Sequence, residues 1–375
     1  MPSFRALTIA TFALFAALLL GACSDSEGGS GERLRVEIGV VQSLSGPASI
    51  YGNTVLHGIE LAVEEINESE DGVSMSITLI DDSSDVDTGK AAFETLAGRN
   101  VTAIIGPTLS NVALEALPAA QAASVPVLGA TTTAQGITEI GDYVFRVALT
   151  EAVVVPATIA RVHEDVPVTN AALIFDSSDA FSRSSADAMR KGIEDVGATI
   201  SGEVDVAETD IASALPELHG KAFDAILVTP LVDKSAGIVK AIRGGGFAQT
   251  IIGGNSFNTL GIAEAAGAAI EGTYAGAAWN PGVDSPASKR FVDAYTQKYG
   301  AAPDLFGAQG YSSVYLLLDA VKRAGTMEHA AIRDALAKLE GVQTPLGNAT
   351  MSARREAVHE PVVQRFEGGK LVVLP

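Results

Sequence analysis

The 375-residue chain has one cysteine, one tryptophan and five histidines. A single cysteine excludes a disulfide within the chain. With the histidines scattered at 57, 163, 219, 329 and 359, it also excludes metal sites built on Cys/His spacing. Basic residues are few: 25 Lys and Arg stand against 45 Asp and Glu, a net charge of −20. No basic patch exists to displace counterions from phosphates, which argues against nucleic acid as a partner and against electrostatic docking on anionic lipid. The phosphate loop G-x-x-x-x-G-K-[ST] and the nucleophile elbow G-x-S-x-G are absent, and "RGGGF" at 243–247 lacks dinucleotide-binding spacing. The acidic pairs at 64–65 and 81–82 sit among polar neighbours and read as solvated faces. No nucleophile, base and oxyanion hole assemble by spacing, so the reading is a binding protein with no cofactor, not an enzyme.

What is present starts with a leader. Arg5 precedes the apolar run "ALTIATFALFAALLL" and small residues, which reads as a secretory signal peptide over 1–22. The run is too short for the ~20 residues a bilayer span needs. Cys23 follows directly after Leu-Gly-Ala, a context that resembles the lipobox of bacterial lipoproteins, and "SDSEGGSGER" completes a flexible tether over 23–33. The expectation is an exported body held to a membrane by lipid on Cys23, in the periplasm or on the outer face of the cytoplasmic membrane.

From residue 34 short β-rich runs alternate with amphipathic helices, in two similar blocks that meet near residue 150. This order implies parallel sheets with right-handed crossovers. The chain ends in a hairpin pattern turning at Gly368 and Gly369.

The segment "IGVVQSLSGPASIYGNTVLHGIELAVEEIN" (38–67) resembles the opening of the branched-chain amino acid-binding family. "VTAIIGPTLSNVALEALPAAQAASVPVLGATTTA" (101–134), "YVFRV" (143–147), "DAFSRSSADAMRKGIEDVGATI" (179–200) and "DSPASKRFVDAYTQKYGAAPDLFGAQGYSSVYLLLDAV" (284–321) follow in the family's order. The resemblance implies an α/β fold of two Rossmann-like lobes joined by a three-strand hinge, the type I periplasmic-binding fold. Lobe one would comprise 34–147 and 278–360, and lobe two 148–277 and 361–375. It also implies a monomeric receptor that passes its solute to an ABC permease. A sensor presenting its closed form to a signalling partner has the same sequence features, and a secreted enzyme is the least supported reading.

The resemblance places site residues one by one. Ser110 falls on the serine that binds the ligand carboxylate; without the resemblance it would read as a helix cap. Thr133 falls on the threonine that helps hold carboxylate and amino group, and Thr131 on a position contributing backbone. Tyr51 matches a first-lobe tyrosine over the ligand. Phe181 stands near a second-lobe aromatic that is usually tyrosine, with Ala180 a one-residue alternative. Leu231 stands at another second-lobe aromatic position. Asn255 replaces the acid that neutralises the ligand ammonium. An amide brings an oxygen but no charge, so the expectation is a second lobe without that acid, which hints at a carboxylate ligand without an ammonium group.

Overall fold

The computed structural model describes residues 33–69 and 72–375. The leader at 1–22, Cys23 and the tether up to residue 32 lie outside them. Among the described residues no helix is long and apolar enough to cross a membrane.

The first block builds β1 (Leu34–Gln42), α1 (Ser49–Glu68), β2 (Val73–Asp81), α2 (Val86–Gly98), β3 (Ala103–Ile105), α3 (Ser110–Ala122), β4 (Val127–Gly129) and β5 (Val144–Arg146). All five strands are parallel, in the order β2-β1-β3-β4-β5. The last five residues of β1 are buried without alternation, as a strand covered by helices on both faces requires.

The second block follows with α4 (Glu151–Asp165), β6 (Asn170–Phe175), α5 (Ala180–Asp195), β7 (Thr199–Asp205), α6 (Ile211–Leu218), β8 (Ala225–Val228), α7 (Val232–Gly244), β9 (Thr250–Gly253), α8 (Leu260–Ala266) and β10 (Tyr274–Ala277). The chain then returns through α9 (Pro286–Tyr299), α10 (Leu305–Ala324), α11 (His329–Leu336) and a small antiparallel sheet of β11 (Val342–Thr344), β12 (Gly347–Met351) and β13 (Ala357–Val358). The closing hairpin, β14 (Val362–Glu367) and β15 (Lys370–Val373), adds antiparallel to the edge of the second sheet, whose order is β15-β14-β10-β9-β8-β6-β7. The chain therefore passes between the sheets three times: after β5, after β10 and after β13.

Helix α10 packs along α1, so late sequence completes the first lobe. The two backbones approach closely enough that a Cβ on Gly58 would stand 2.0 Å from the Gly307 carbonyl oxygen, and one on Gly310 2.2 Å from that of Val55. Only glycine fits at such a crossing.

Two details differ from the sequence reading. Asp82 is not solvated: it is fully buried, and the Ser43 hydroxyl donates to it at 2.6 Å. Burial pushes its carboxyl pKa up. Glu65 is half-buried and accepts from the hydroxyls of Tyr311 and Tyr315, while Glu64 stays exposed beside Lys298. The reason is the same in both cases. A polar neighbourhood in sequence does not reveal that a distant loop or helix will cover the residue.

Candidate functional site

Strands β3 and β4 end on the side where the second lobe approaches, the usual ligand edge of an open α/β sheet. Ser110 is the first residue of α3, and the preceding residue, Leu109, occupies the N-cap position with no side-chain cap. Ser110 therefore does not cap its helix. Its hydroxyl accepts from the Ala134 N–H at 3.3 Å, which leaves the O–H free to donate beside the unpaired N–H groups of the helix start. The Thr131 hydroxyl donates to the Thr108 carbonyl at 2.7 Å, so that side chain is committed inside its own lobe. The Thr133 hydroxyl oxygen is buried with no hydrogen-bond partner.

Arg146 fixes this loop from behind. It is 1% exposed, donates to the Ala134 carbonyl at 2.8 Å and pairs with Glu356 at 3.1 Å. Burial lowers the guanidinium pKa, and Glu356 opposes the shift.

From the first lobe Tyr51 reaches across. Its hydroxyl donates to the Ser256 carbonyl at 3.2 Å and accepts from the Val232 N–H at 2.9 Å, and its ring lies 4.7 Å from that of Phe306. Burial raises its pKa well above the ordinary value. A second clasp joins α3 to α5: Asn111 donates to Asp179 at 3.0 Å and accepts from the Ala180 N–H at 2.8 Å. The lobes are thus shut upon one another.

Tyr51, Ser110, Thr131, Phe181, Leu231 and Asn255 all line one cavity between the lobes. Of the pair left open by the sequence, Phe181 rather than Ala180 faces it; Ala180 packs with first-lobe apolar residues instead. The cavity measures about 30 Å³, room for roughly one water, so the lobes must part before any solute enters. A larger cavity of about 510 Å³ lies by Trp279, Pro303 and Leu371 and contains none of the expected site residues.

The orientation of Asn255 is set by a chain of buried amides. The Gly282 N–H donates to Asn280 at 2.7 Å, Asn280 donates to Gln364 at 2.6 Å, and Gln364 donates to Asn258 at 2.6 Å. Asn258 in turn donates to the Asn255 oxygen at 2.8 Å. A backbone N–H can only donate, so every amide in the chain has its direction fixed. The Asn255 oxygen therefore already accepts one hydrogen bond, and the amide chain does not engage the Asn255 NH₂.

Close to Asn255 the second lobe holds a buried acid that the sequence reading did not single out. Glu151, the first residue of α4, is 1% exposed and lies behind Gly254 and the Phe181 ring. One carboxylate oxygen accepts from Ser185 at 2.8 Å and, at 3.5 Å, from the Asn255 N–H. The other is buried without a partner. Burial pushes the carboxyl up to about 7, opposed by Ser185, the Asn255 N–H and the nearby Thr133 hydroxyl, which stands outside hydrogen-bonding geometry. Gly254 permits this packing, since a Cβ there would lie 2.7 Å from the Ser185 hydroxyl. The sequence carried one signal for Glu151, an acid opening the helix just after the first crossover.

Two parallel-sheet lobes shut over a polar cleft at the carboxyl ends of their strands define a solute-binding protein of the type I periplasmic kind. The chain belongs to the periplasmic binding protein family, whose model matches residues 35–370. It is similar to the Leu/Ile/Val-binding protein BraC3 of Rhizobium johnstonii, at 23% identity over 90% of this chain and 93% of that one. The crystal structure of LivJ, a branched-chain amino acid transporter substrate-binding protein from Streptococcus pneumoniae in complex with isoleucine, is 27% identical. It covers 91% of this chain and 99% of that one, with a TM-score of 0.84. An ABC transporter solute-binding protein from R. palustris in complex with benzoate shares the fold at 22% identity and a TM-score of 0.82, over 91% and 95% of the chains. These relatives are binding proteins, in agreement with the non-catalytic reading.

Proposed function

We propose that this protein is the extracytoplasmic solute receptor of an ABC importer and captures a small carboxylate-bearing ligand by hinge closure. One observation carries the reading. Ser110 with the start of α3, Thr131 in the loop after β4, Phe181, Leu231 and Asn255 come from five separate parts of the chain to one shut cleft between lobes. The relatives' ligands, isoleucine and benzoate, have a carboxylate in common, and Ser110 with the helix start is the part of this cleft suited to one.

Lobe one (34–147 and 278–360) binds first, and lobe two (148–277 and 361–375) then swings in about the three crossovers, excluding water. Tyr51 and the Asn111–Asp179 clasp hold the closed form, which a permease reads. Cys23 carries the lipid that keeps the receptor at the membrane; Cys23→Ala should release it into the soluble fraction.

A thermal-shift screen tests the solute. Leucine, isoleucine and valine are set beside their 2-keto acids, simple aromatic acids and short amides. A ligand at 100 times its dissociation constant stabilises the fold by about 2.7 kcal/mol. If every carboxylate fails and only amides respond, the carboxylate reading is wrong.

A further inference from the structure

We infer that the larger cavity beside the hinge is a second ligand site, one that takes a small apolar amine and communicates with the solute cleft through the chain of buried amides. The inference goes beyond the solute-receptor reading, since this cavity holds none of the residues expected to grip the solute.

At about 510 Å³ the cavity has the size of a small-molecule site. Pro303, Asp304 and Leu305, at the start of α10, bring the first lobe to it, while Leu260 of α8 and Leu371 and Val372 of β15 bring the second. Its lining is mainly hydrocarbon. Leu260 and Val372, each 41% exposed, are two of the five large apolar side chains left exposed among the described residues, so apolar surface is concentrated at this rim. Trp279 presents its ring, because the indole N–H is tied to the Ser288 hydroxyl at 3.0 Å. An occupant with an apolar body therefore touches both lobes at once.

The polar groups of the lining call for a donor. Asn258, Asn280 and Gln364, three of the four amides in the chain, stand on the cavity wall. Asn258 spends its hydrogens on the Asn255 oxygen at 2.8 Å and the Gly276 carbonyl at 2.7 Å. Asn280 spends its own on Gln364 at 2.6 Å and the Leu371 carbonyl at 3.1 Å, and Gln364 gives one to Asn258. Each of the three oxygens accepts once within the chain and retains a lone pair. Asp304 adds a carboxylate that accepts from the Gly307 N–H at 3.0 Å. Of the two hydroxyls beside it, that of Thr54 already donates to the Tyr51 carbonyl at 3.0 Å, which leaves only that of Thr259. The wall is thus rich in acceptors and carries a negative charge, which an ammonium group answers with three donors and a positive one. Lys370 stands on the exposed rim, where water and salt screen its repulsion. The fourth amide, Asn255, lines the solute cleft, so an occupant of the hinge cavity touches the same chain that orients it.

Trp279 is the only tryptophan in the chain, so its fluorescence reports on this cavity. The test is titration of the full chain and of Asp304→Asn with cyclohexylmethylamine, cyclohexylmethanol and cyclohexanecarboxylate, which share a body and differ in the head group. The amine should give a saturable change and bind at least about 10-fold more tightly than the alcohol or the carboxylate, the scale of a hydrogen bond to a charged group. Asp304→Asn keeps a good helix cap and should lose that preference. No saturable response to the amine, tighter binding of the carboxylate, or an unchanged preference in Asp304→Asn overturns the site. A measurement on the wild type alone guards against a misfolded variant. In ¹H–¹⁵N spectra the side-chain NH₂ signals of Asn258, Asn280 and Gln364 should shift with the amine, and that of Asn255 with them. Shifts that spare the first three overturn the site, and shifts that stop short of Asn255 overturn its communication with the cleft. Neither measurement uses a solute, so failure here and failure of the solute-receptor reading are told apart.

Discussion

Glu151→Gln makes a prediction about the fold in the absence of ligand. Burial holds the Glu151 carboxyl at about 7 against an ordinary value of 4.5. Between those two pH values the native chain retains a proton that the unfolded chain has released. Its contribution is therefore fully present below pH 4.5 and is lost as pH rises through 7. That interval, at about 1.4 kcal/mol per pH unit, corresponds to roughly 3 kcal/mol. Asp304, half-buried at the N-cap of α10, is likewise pushed up by burial, to about 6, and shares the lower part of the window. The comparison is accordingly between wild type and variant rather than between two pH values of one protein. Urea unfolding at half-unit steps from pH 5 to pH 8 measures it. The wild type should lose about 2.5 kcal/mol more than Glu151→Gln across that range. Parallel curves would mean that Glu151 is ionised throughout in the native state, and that its buried oxygen has a solvation the geometry does not reveal.

Three further outcomes follow from the same geometry. Ser110→Ala should weaken carboxylate binding by roughly 10-fold or more, since a hydrogen bond to a charged group contributes about 1.5–3 kcal/mol; titration of the best ligand from the screen checks it. Asn111→Ala removes both hydrogen bonds between α3 and α5, so the unliganded protein should become more open, seen as a larger radius of gyration by small-angle scattering. Gly58→Ala forces α1 and α10 apart against the Gly307 carbonyl and should cost at least about 2 kcal/mol, read as a lowered Tm with ligand affinity per folded molecule unchanged.

The fold was legible because its signals are local. The apolar periodicity of "EAVVVPATIARVHED" is that of a helix, and the segment is α4 residue for residue; the alternation of strands and helices announces the parallel sheets. Helix α11 and the β11–β13 sheet are not legible from periodicity, because short elements with mixed polarity take their shape from the lobe they cover. Within the site the first-lobe residues were legible because strand ends and helix starts position them in sequence order. Asn255 lines the cleft, but its sequence neighbours do not orient it. The direction of its amide is decided at Gln364 and Asn280, which no reading of "TIIGGNSFN" contains. Glu151 was passed over for the complementary reason: a glutamate opening a helix is ordinary in sequence, and only the meeting of α4, α5 and the Gly254 turn makes it a buried acid.

The amide chain gives the cleft a polarity written elsewhere in the molecule. Asn280 follows the strand by which the polypeptide leaves the second sheet, and Gln364 lies on the strand by which it comes back. Both therefore stand at the joints about which the lobes turn. Each amide points its hydrogens at the next like arrows in a row, and the last arrow is the face Asn255 shows the solute. Reversing that face would require every member to turn over, against a backbone N–H that cannot. A relative that needed an acceptor at this position could not obtain one by rotating a side chain. It would have to rewrite the joint, so in this protein what the pocket offers and how the hinge is built are parts of one inheritance.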